Sequence, residues 1–386
     1  MKFVFASDSF KGSISSCCAA MLLREAANEI FPNTDTISIA VADGGEGTVD
    51  AIMDAVSGEK IEVQVMNPVL QPVTACYGRL DDNRAVAEMA SASGLTLIDA
   101  SLRNPMNTTS QGTGELIKAM LDAGFSDISI AIGGSATNDG GMGCMKALGV
   151  RFLDENENEL IGCGGDLIKV QKIDVSNIHP RIKDVKFTVM CDVKNPLCGR
   201  DGATWTFGKQ KGGTPEMLEE LEKGMRNYSD VIKRTFDIDP DLIPGGGAAG
   251  GLGAALSVFL SAKYKSGVEA VLDMIGFDDI IKDADLVVTG EGRTDWQSCF
   301  GKVLQGIGNH CRALGIPAIS LSGSLGDGAE KILDEGIESV MTTVNSPITL
   351  EEAMRNAEEF YKEAAIRMFR IVRVGMRVKE REISKV

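Results

Sequence analysis

The sequence predicts an α/β protein of two domains: a Rossmann-like parallel sheet domain made from both chain ends, and an inserted mixed α/β domain carrying glycine-rich loops. Three observations predict it. At 386 residues the chain exceeds the size at which one hydrophobic core keeps growing. Both ends alternate apolar strand, glycine-rich loop and helix, the rhythm of parallel strands joined by helical crossovers. Between them the texture changes to short, close-set strands joined by Asn67-Pro68, Gln71-Pro72 and Asp81-Asp82-Asn83, which favours antiparallel pairing. The expected boundaries place residues 1–65 and 285–386 in the discontinuous parallel domain and 66–284 in the insert.

Each element has a local cause. Phe3-Val4-Phe5 is continuously apolar, as suits a strand buried on both faces, and the helix after it is expected to start at Ser13 and to bury Ile14, Cys17, Cys18, Met21 and Leu22. A second strand over 36–42 runs into DGGEGT (43–48) and a helix to about Val56. Segments 61–65, 73–79 and 84–89 read as the antiparallel strands, and 108–114 as a polar run capping a helix to about Asp122. Strand 127–132 enters AIGGSATNDGGMG (131–143), followed by a helix over 139–148. Strand 185–190 delivers Cys191-Asp192-Val193 into a long loop over 195–213, a length that usually carries function. Thr214 and Pro215 open a helix to about Phe236, Thr as N-cap and Pro at its first position. A helix follows over about 251–263; then strand 286–289 enters GEGRTD, a helix over 301–314 ends at Gly315, and strands 317–322 and 339–344 precede a long final helix. The basic end, 370–385, reads as a frayed, solvated tail.

Composition narrows the function classes. Hydrophobic residues make up 44% and charged residues 24%, an ordinary globular balance. No run of about 18 apolar residues exists and the start lacks a signal peptide's apolar region, so a cytoplasmic protein is expected. The nine cysteines include no CxxC pair, which disfavours zinc and a disulfide framework, and with His179 and His310 as the two histidines a His-based triad has little to rest on. A net charge of −16 disfavours nucleic acid and anionic membrane as partners. A phosphate ligand would need local positive charge from Lys11, Arg200, Lys209, Lys211, Arg293, Lys302 and a divalent metal.

The chemistry-bearing stretches are four glycine-rich loops. In 131–143, glycines between strand and helix can let backbone N–H groups close on an anion, although the same pattern also makes a plain tight turn. DGGEGT (43–48), PGGGAAGGLG (244–253) and TGEGRTD (289–295) repeat the theme. Gly245, Gly247 and Gly250 have dinucleotide-fingerprint spacing, but Ile243-Pro244 is no strand. In parallel sheets ligands bind beyond the carboxyl ends of the strands, where Asp8, Lys11, Asp43 and Glu46 fall. Phosphoryl transfer needs charge compensation and a carboxylate for the attacking hydroxyl. Strand-end acids Asp8, Asp43, Asp192 and Glu291 are candidates. Asp192 is the expected base or metal ligand, with helix capping as the competing reading.

Taken together, the catalytic candidates are Asp192, Lys11 and Asp43, and the metal candidates Asp192, Asp43 and Glu291. Substrate-binding candidates are Asp8, Ser9, Lys11 and Lys211. Those for nucleotide and phosphate are Gly133, Gly134, Ser135, Asn138, Asp139, Gly245, Gly246, Gly247, Gly290, Gly292 and Lys302.

Seven ordered motifs carry a resemblance: DSFKGS (8–13), ADGGEGT (42–48), GGSATNDGG (133–141), CDV with NPL (191–197), FGKQKGG (207–213), PGGGAAGGLGAAL (244–256), and TGEGRTD (289–295) followed by Gly301-Lys302. Together they resemble the glycerate kinase family of the bacterial type I class, from Met1 to about Met376. The resemblance implies ATP- and Mg2+-dependent phosphorylation of D-glycerate, expected at the 2-hydroxyl, on two α/β domains with a cleft between them, and leaves room for a homodimer. Ser7, Lys209, Gly246 and Trp296 depart from the family pattern; an indole beside GEGRTD bears on substrate preference, not on the fold. A dinucleotide-dependent oxidoreductase and a non-catalytic nucleotide-binding sensor stand as alternatives.

Overall fold

A computed structural model describes residues 1–41, 45 and 47–383, with side chains to 381. Its strands, in chain order, are β1 (Lys2–Phe5), β2 (Asp35–Ser38), β3 (Glu59–Met66), β4 (Pro72–Arg79), β5 (Arg84–Glu88), β6 (Asp127–Ala131), β7 (Arg151–Leu153), β8 (Lys172–Asp174), β9 (Lys186–Met190), β10 (Lys263–Lys265), β11 (Leu286–Thr289), β12 (Ala318–Ser322) and β13 (Ser339–Thr342). The chain divides into two compact units, Met1–Asp43 with Val268–Val386, and Gly44–Gly267.

The first unit holds a five-stranded sheet in the order β13-β12-β11-β1-β2, parallel throughout. From β1 the chain steps to β2 on one side; from β11 it steps through β12 to β13 on the other. The winding therefore reverses between β1 and β11. Phe3, Phe5, Leu286 and Val288 pack with residues of helices Ser16–Ile30 and Ala357–Ile383, while Val4 and Val287, pointing the other way, are buried too. Phe3 stacks on Phe369 at 5.6 Å and meets Phe31 edge-on at 5.5 Å. Helix Ser16–Ile30 starts two residues later than expected, because Ser15, not Ser13, accepts from the Cys18 N–H, while the Ser13 hydroxyl donates to the Phe10 carbonyl. Its buried stripe is accordingly Ala19, Leu22, Leu23, Ala26, Ala27 and Ile30, with Cys17 and Met21 exposed. As far as it is described, the basic end is largely exposed, as expected, but helical: it continues helix Ala357–Ile383, whose earlier part is anchored by Tyr361, Ala364, Ala365, Met368 and Phe369.

The second unit holds a six-stranded mixed sheet, β10-β9-β6-β5-β4-β3, in which β3, β4 and β5 are antiparallel and β5, β6, β9 and β10 parallel. Its parallel strands follow one another in one direction, with no reversal. The unit boundaries fall away from 65/66 and 284/285 for two reasons. β3 pairs with β4 along its whole length, from Glu59 opposite Arg79 to Met66 opposite Pro72, which ties it to the insert's sheet. Beyond Gly267, Val268 packs so closely on helix Val303–Leu314 that a Cβ on Gly306 would lie 2.9 Å from its methyl, which ties this segment to the chain ends. Helix Pro215–Phe236 starts as the sequence predicts, with the Thr214 hydroxyl accepting from Met217. Within 195–213 the chain forms a short helix, Ala203–Phe207, and a turn, Lys209–Lys211. Among the described residues no helix is long and apolar enough to cross a membrane.

Candidate functional site

In open parallel sheets, ligands sit beyond the carboxyl ends of the strands where the winding reverses. In the first unit that point is flanked by Asp8-Ser9, after β1, and Gly290-Glu291-Gly292, after β11. The Asp8 N–H donates to the Gly290 carbonyl at 2.9 Å, and the Ser9 N–H to the Asp8 carboxylate at 2.6 Å. A Cβ on Gly292 would lie 3.8 Å from the Lys11 backbone nitrogen. Asp8, Ser9, Lys11, Gly290, Glu291 and Gly292, far apart in sequence, thus gather at one end of one sheet.

Glu291 is buried there. The Ser298 hydroxyl donates to its Oε1 at 2.5 Å, and the half-exposed Lys302 Nζ stands 3.9 Å from its Oε2. Burial pushes the Glu291 pKa up, Ser298 and Lys302 pull it down, and the Asp8 charge adds to the upward push. Asp8 and Glu291 thus stand at the same end of the sheet, the Asp8 N–H resting on the carbonyl that precedes Glu291.

This end of the sheet is built rigidly, because the loops after β11 and β12 extend the strand pairing. Gly323 N donates to Glu291 O at 3.0 Å, Thr294 N to Ser324 O at 3.0 Å, Gly326 N to Thr294 O at 2.7 Å, and Trp296 N to Asp327 O at 3.0 Å. So close an approach requires glycine: a Cβ on Gly290 would lie 2.1 Å from Leu321 O, and one on Gly323 2.4 Å from Gly292 O. Asp295 and Ser298 close a reciprocal capping box, which fixes the hydroxyl that reaches Glu291.

The glycine loop of the second unit is organised differently. Gly133 and Gly134 are exposed, but the chain from Ser135 to Asp139 turns inward and is buried. The Asp139 carboxylate accepts from Ser110 N at 2.7 Å, Ser110 Oγ at 2.8 Å, Gly141 N at 3.1 Å and Gly143 N at 3.2 Å. Asn138 donates to Thr204 Oγ1 at 3.1 Å. Lys211 is fully buried, donates to Thr137 O at 2.6 Å, and is held by burial at a pKa of about 7. Gly250 has φ +68° and fits against Thr137 O, where a Cβ would come within 2.0 Å. The side chains of Asn138, Asp139 and Lys211, expected to contact ligands, hold the segments around 110, 137, 204 and 211 together, while Gly250 meets this loop through its backbone. Gly245, Gly246 and Gly247 are buried likewise, Gly247 so close to Pro196 that a Cβ would lie 2.1 Å from its carbonyl. No strand leads directly into them, the preceding elements being helix Pro215–Phe236 and the turn Pro240–Leu242, so the dinucleotide-like spacing at 245–250 is a packing pattern and the oxidoreductase alternative loses its basis.

Asp192 is exposed just beyond β9, and one of its oxygens accepts from the Gly267 N–H at 3.0 Å, the capping contact that competed with a chemical role. Asp43 and Glu46 lie outside the described residues. Sequence reasoning missed two groups: Ser298, and Glu88, whose carboxylate accepts from Gly47 N at 3.2 Å and Val49 N at 2.7 Å and so holds the first turn of helix Thr48–Val56. The clue to Glu88 was its place at the end of an apolar strand before the small residues Ala90, Ser91 and Ala92. A cavity of about 590 Å³ in the second unit, lined by Ile178, Ile182, Phe236 and Phe259 among others, contains none of the candidate residues.

Among the described residues no three His, Cys, Asp or Glu side chains cluster as ligands for a metal ion. A magnesium ion held by phosphates needs only one or two carboxylates, its other positions being filled by water and phosphate oxygens. Asp8 and Glu291 fit that requirement.

The Glycerate kinase family profile matches residues 3–373. The chain belongs to the glycerate kinase family. It is accordingly an enzyme, a kinase. It is 44% identical to the glycerate 2-kinase of Escherichia coli (strain K12) over 378 residues, covering 98% of this chain and 99% of that one. It is 43% identical to the glycerate kinase of Bacillus subtilis (strain 168) over 366 residues, covering 95% and 96%. A crystal structure from Salmonella typhimurium LT2, of a protein assigned as glycerate kinase 2, superposes with a TM-score of 0.87 at 41% identity, covering 98% of this chain and 99% of that one.

Proposed function

We propose that this glycerate kinase family member transfers the γ-phosphoryl group of ATP, with Mg2+, to the 2-hydroxyl of D-glycerate, in the cytoplasm. The observation that supports the site assignment is the convergence of the Asp8 and Glu291 loops at the winding reversal of the parallel sheet, where Asp8 N–H meets the Gly290 carbonyl and Lys302 approaches Glu291. The choice of hydroxyl is supported by the 44% identity to a protein named glycerate 2-kinase.

Phosphoryl transfer asks the protein chiefly for positioning and charge compensation. Asp8 and Glu291 would hold the magnesium ion, which when bound neutralises charge on the phosphates. Lys302 approaches Glu291 and would screen the transferring group, while Lys11, on the turn after β1, would bind the carboxylate of the acid or a phosphate. Asp43 is proposed to orient the attacking hydroxyl, and Asp192, exposed with one oxygen engaged by Gly267 N–H, is the corresponding carboxylate candidate within the second unit. The exposed Gly133 and Gly134 are the part of their loop left to meet a phosphate with backbone N–H groups.

A coupled ADP-release assay with D-glycerate, L-glycerate, glycolate and glycerol tests the reading, and phosphorus NMR of the product identifies the hydroxyl. D-glycerate should be phosphorylated and the signal should match the 2-phosphate. Absence of turnover with every acceptor in the presence of Mg2+ would overturn it, and nucleotide binding without turnover would point to a sensor instead.

A further inference from the structure

Trp296 and Phe300 lie just after the β11 loop, and both are unusually open for such large apolar side chains. Trp296 is 50% exposed and Phe300 68%, with ring centroids 5.9 Å apart and planes at 71°. Edge-to-face contact with each other leaves much of both rings in water. Exposure of this kind generally accompanies a loose segment, yet this one is firmly held. Trp296 N donates to Asp327 O, the Asp295–Ser298 capping box fixes the turn Trp296–Cys299, and the hydroxyl of that box reaches Glu291. A Cβ on Gly328 would lie 3.0 Å from the Trp296 Cβ, so the loop after β12 packs directly on the indole's base. Leu325 of that loop is also 50% exposed, and its backbone bridges to Thr294. A rigid apolar surface is thereby connected through one hydroxyl to a carboxylate of the candidate site.

We infer that Trp296 and Phe300 form a stacking platform for the purine base of the nucleotide donor; the inference rests on the kinase reading above. Glycerate offers a carboxylate and hydroxyls and has no flat face for two aromatic rings to bind. A purine has one, and stacking on aromatic side chains gives it affinity without a fixed hydrogen-bond pattern. The preformed turn means that little ordering cost is added on binding.

The test uses the full-length chain. In a Trp205→Phe background, Trp296 is the remaining indole, since the sequence has two tryptophans. Magnesium ADP and ATP should quench its emission on saturation, whereas inorganic tripolyphosphate should compete for the site without quenching. Trp296→Ala should raise the Kd for ADP and the KM for ATP by about 5- to 100-fold, and Trp296→Phe should recover most of that loss, with the KM for D-glycerate staying within about twofold. Equal quenching by tripolyphosphate, an unchanged KM for ATP, or a KM increase confined to D-glycerate would overturn the platform. So would an effect of Trp296→Ala on oligomeric state in sedimentation with nucleotide binding intact, which would make these rings a protein interface. If the wild-type chain phosphorylates D-glycerate and Trp296→Ala does not weaken ATP, the platform fails and the kinase reading stands. If the wild-type chain transfers nothing, the kinase reading fails, and ADP quenching measured without an acceptor still decides the platform.

Discussion

Two glycine-rich loops of this chain look alike in sequence and are built in opposite ways. Gly290-Glu291-Gly292 follows a strand beside a winding reversal, and its glycines let two loops pair closely so that a carboxylate, a lysine and a hydroxyl are presented at the end of the sheet. The loop over 133–143 follows a strand in a sheet without a reversal, and its Asn138 and Asp139 side chains point into the protein, where they tie in the distant segments at 204 and 110. The difference teaches that small polar residues and glycines mark close backbone approach first. Whether they also mark a ligand site depends on the topology around them.

The sharpest way to break this comparison is to treat Asp139 as a functional group. Asp139→Ala removes the acceptor of four buried donors and should destabilise the protein by at least about 3 kcal/mol, read from the urea midpoint. Wild-type stability with lost nucleotide affinity would show that its carboxylate serves a ligand after all. Gly250→Ala should cost about 2–3 kcal/mol, because the residue has φ +68° and a Cβ there would meet Thr137 O at 2.0 Å. A further effect, read per pH unit, is expected from Lys211. Burial holds Lys211 near 7 in the folded protein against an ordinary 10.5, so folding disfavours its charged form. That penalty is complete below about pH 7, shrinks as pH rises and is gone above about 10.5. Stability should therefore rise with pH through this window, by up to about 1.4 kcal/mol per unit, and Lys211→Met should flatten the dependence in melts of the two proteins side by side. The smallest change belongs to the first unit: Ser298→Ala should cost about 1 kcal/mol and, by removing a bond that lowers the Glu291 pKa, shift the acid limb of the pH–rate profile upward. An unshifted profile would separate Glu291 from the chemistry.

Much of the fold was legible because its signals are local. Phe3-Val4-Phe5 and Leu286-Val287-Val288 announce doubly buried strands, Thr214-Pro215 announces a helix start, and the turns at 67–68, 71–72 and 81–83 announce antiparallel strands. The misplaced boundary was not local, since the partner of β3 had to be known before β3 could be assigned to a sheet. The first helix misled through a choice between Ser13 and Ser15 that only the Phe10–Ile14 turn decides. Among the candidate residues, the strand-end positions of Asp8, Glu291 and Asp192 were legible because an acid directly after an apolar run is conspicuous. The inward turn of Asn138, Asp139 and Lys211 was hidden, since Ser110, Thr204 and Gly250 are distant in sequence and each alone reads as a cap or a turn. Glu88 and Ser298 escaped for the same reason: their partners are backbone groups or a carboxylate that the fold brings to them.

The most direct test of the central claim, that the reversal between β1 and β11 carries the chemistry, is ADP release with D-glycerate and Mg2+ by Glu291→Gln, measured on protein shown by its melt to be folded. Removing the charge while keeping the shape should reduce turnover at least about 100-fold, with a melting temperature no lower than that of the parent beyond the loss expected from one weakened hydrogen bond. Turnover within about threefold of the parent, in a protein equally stable, would contradict the account.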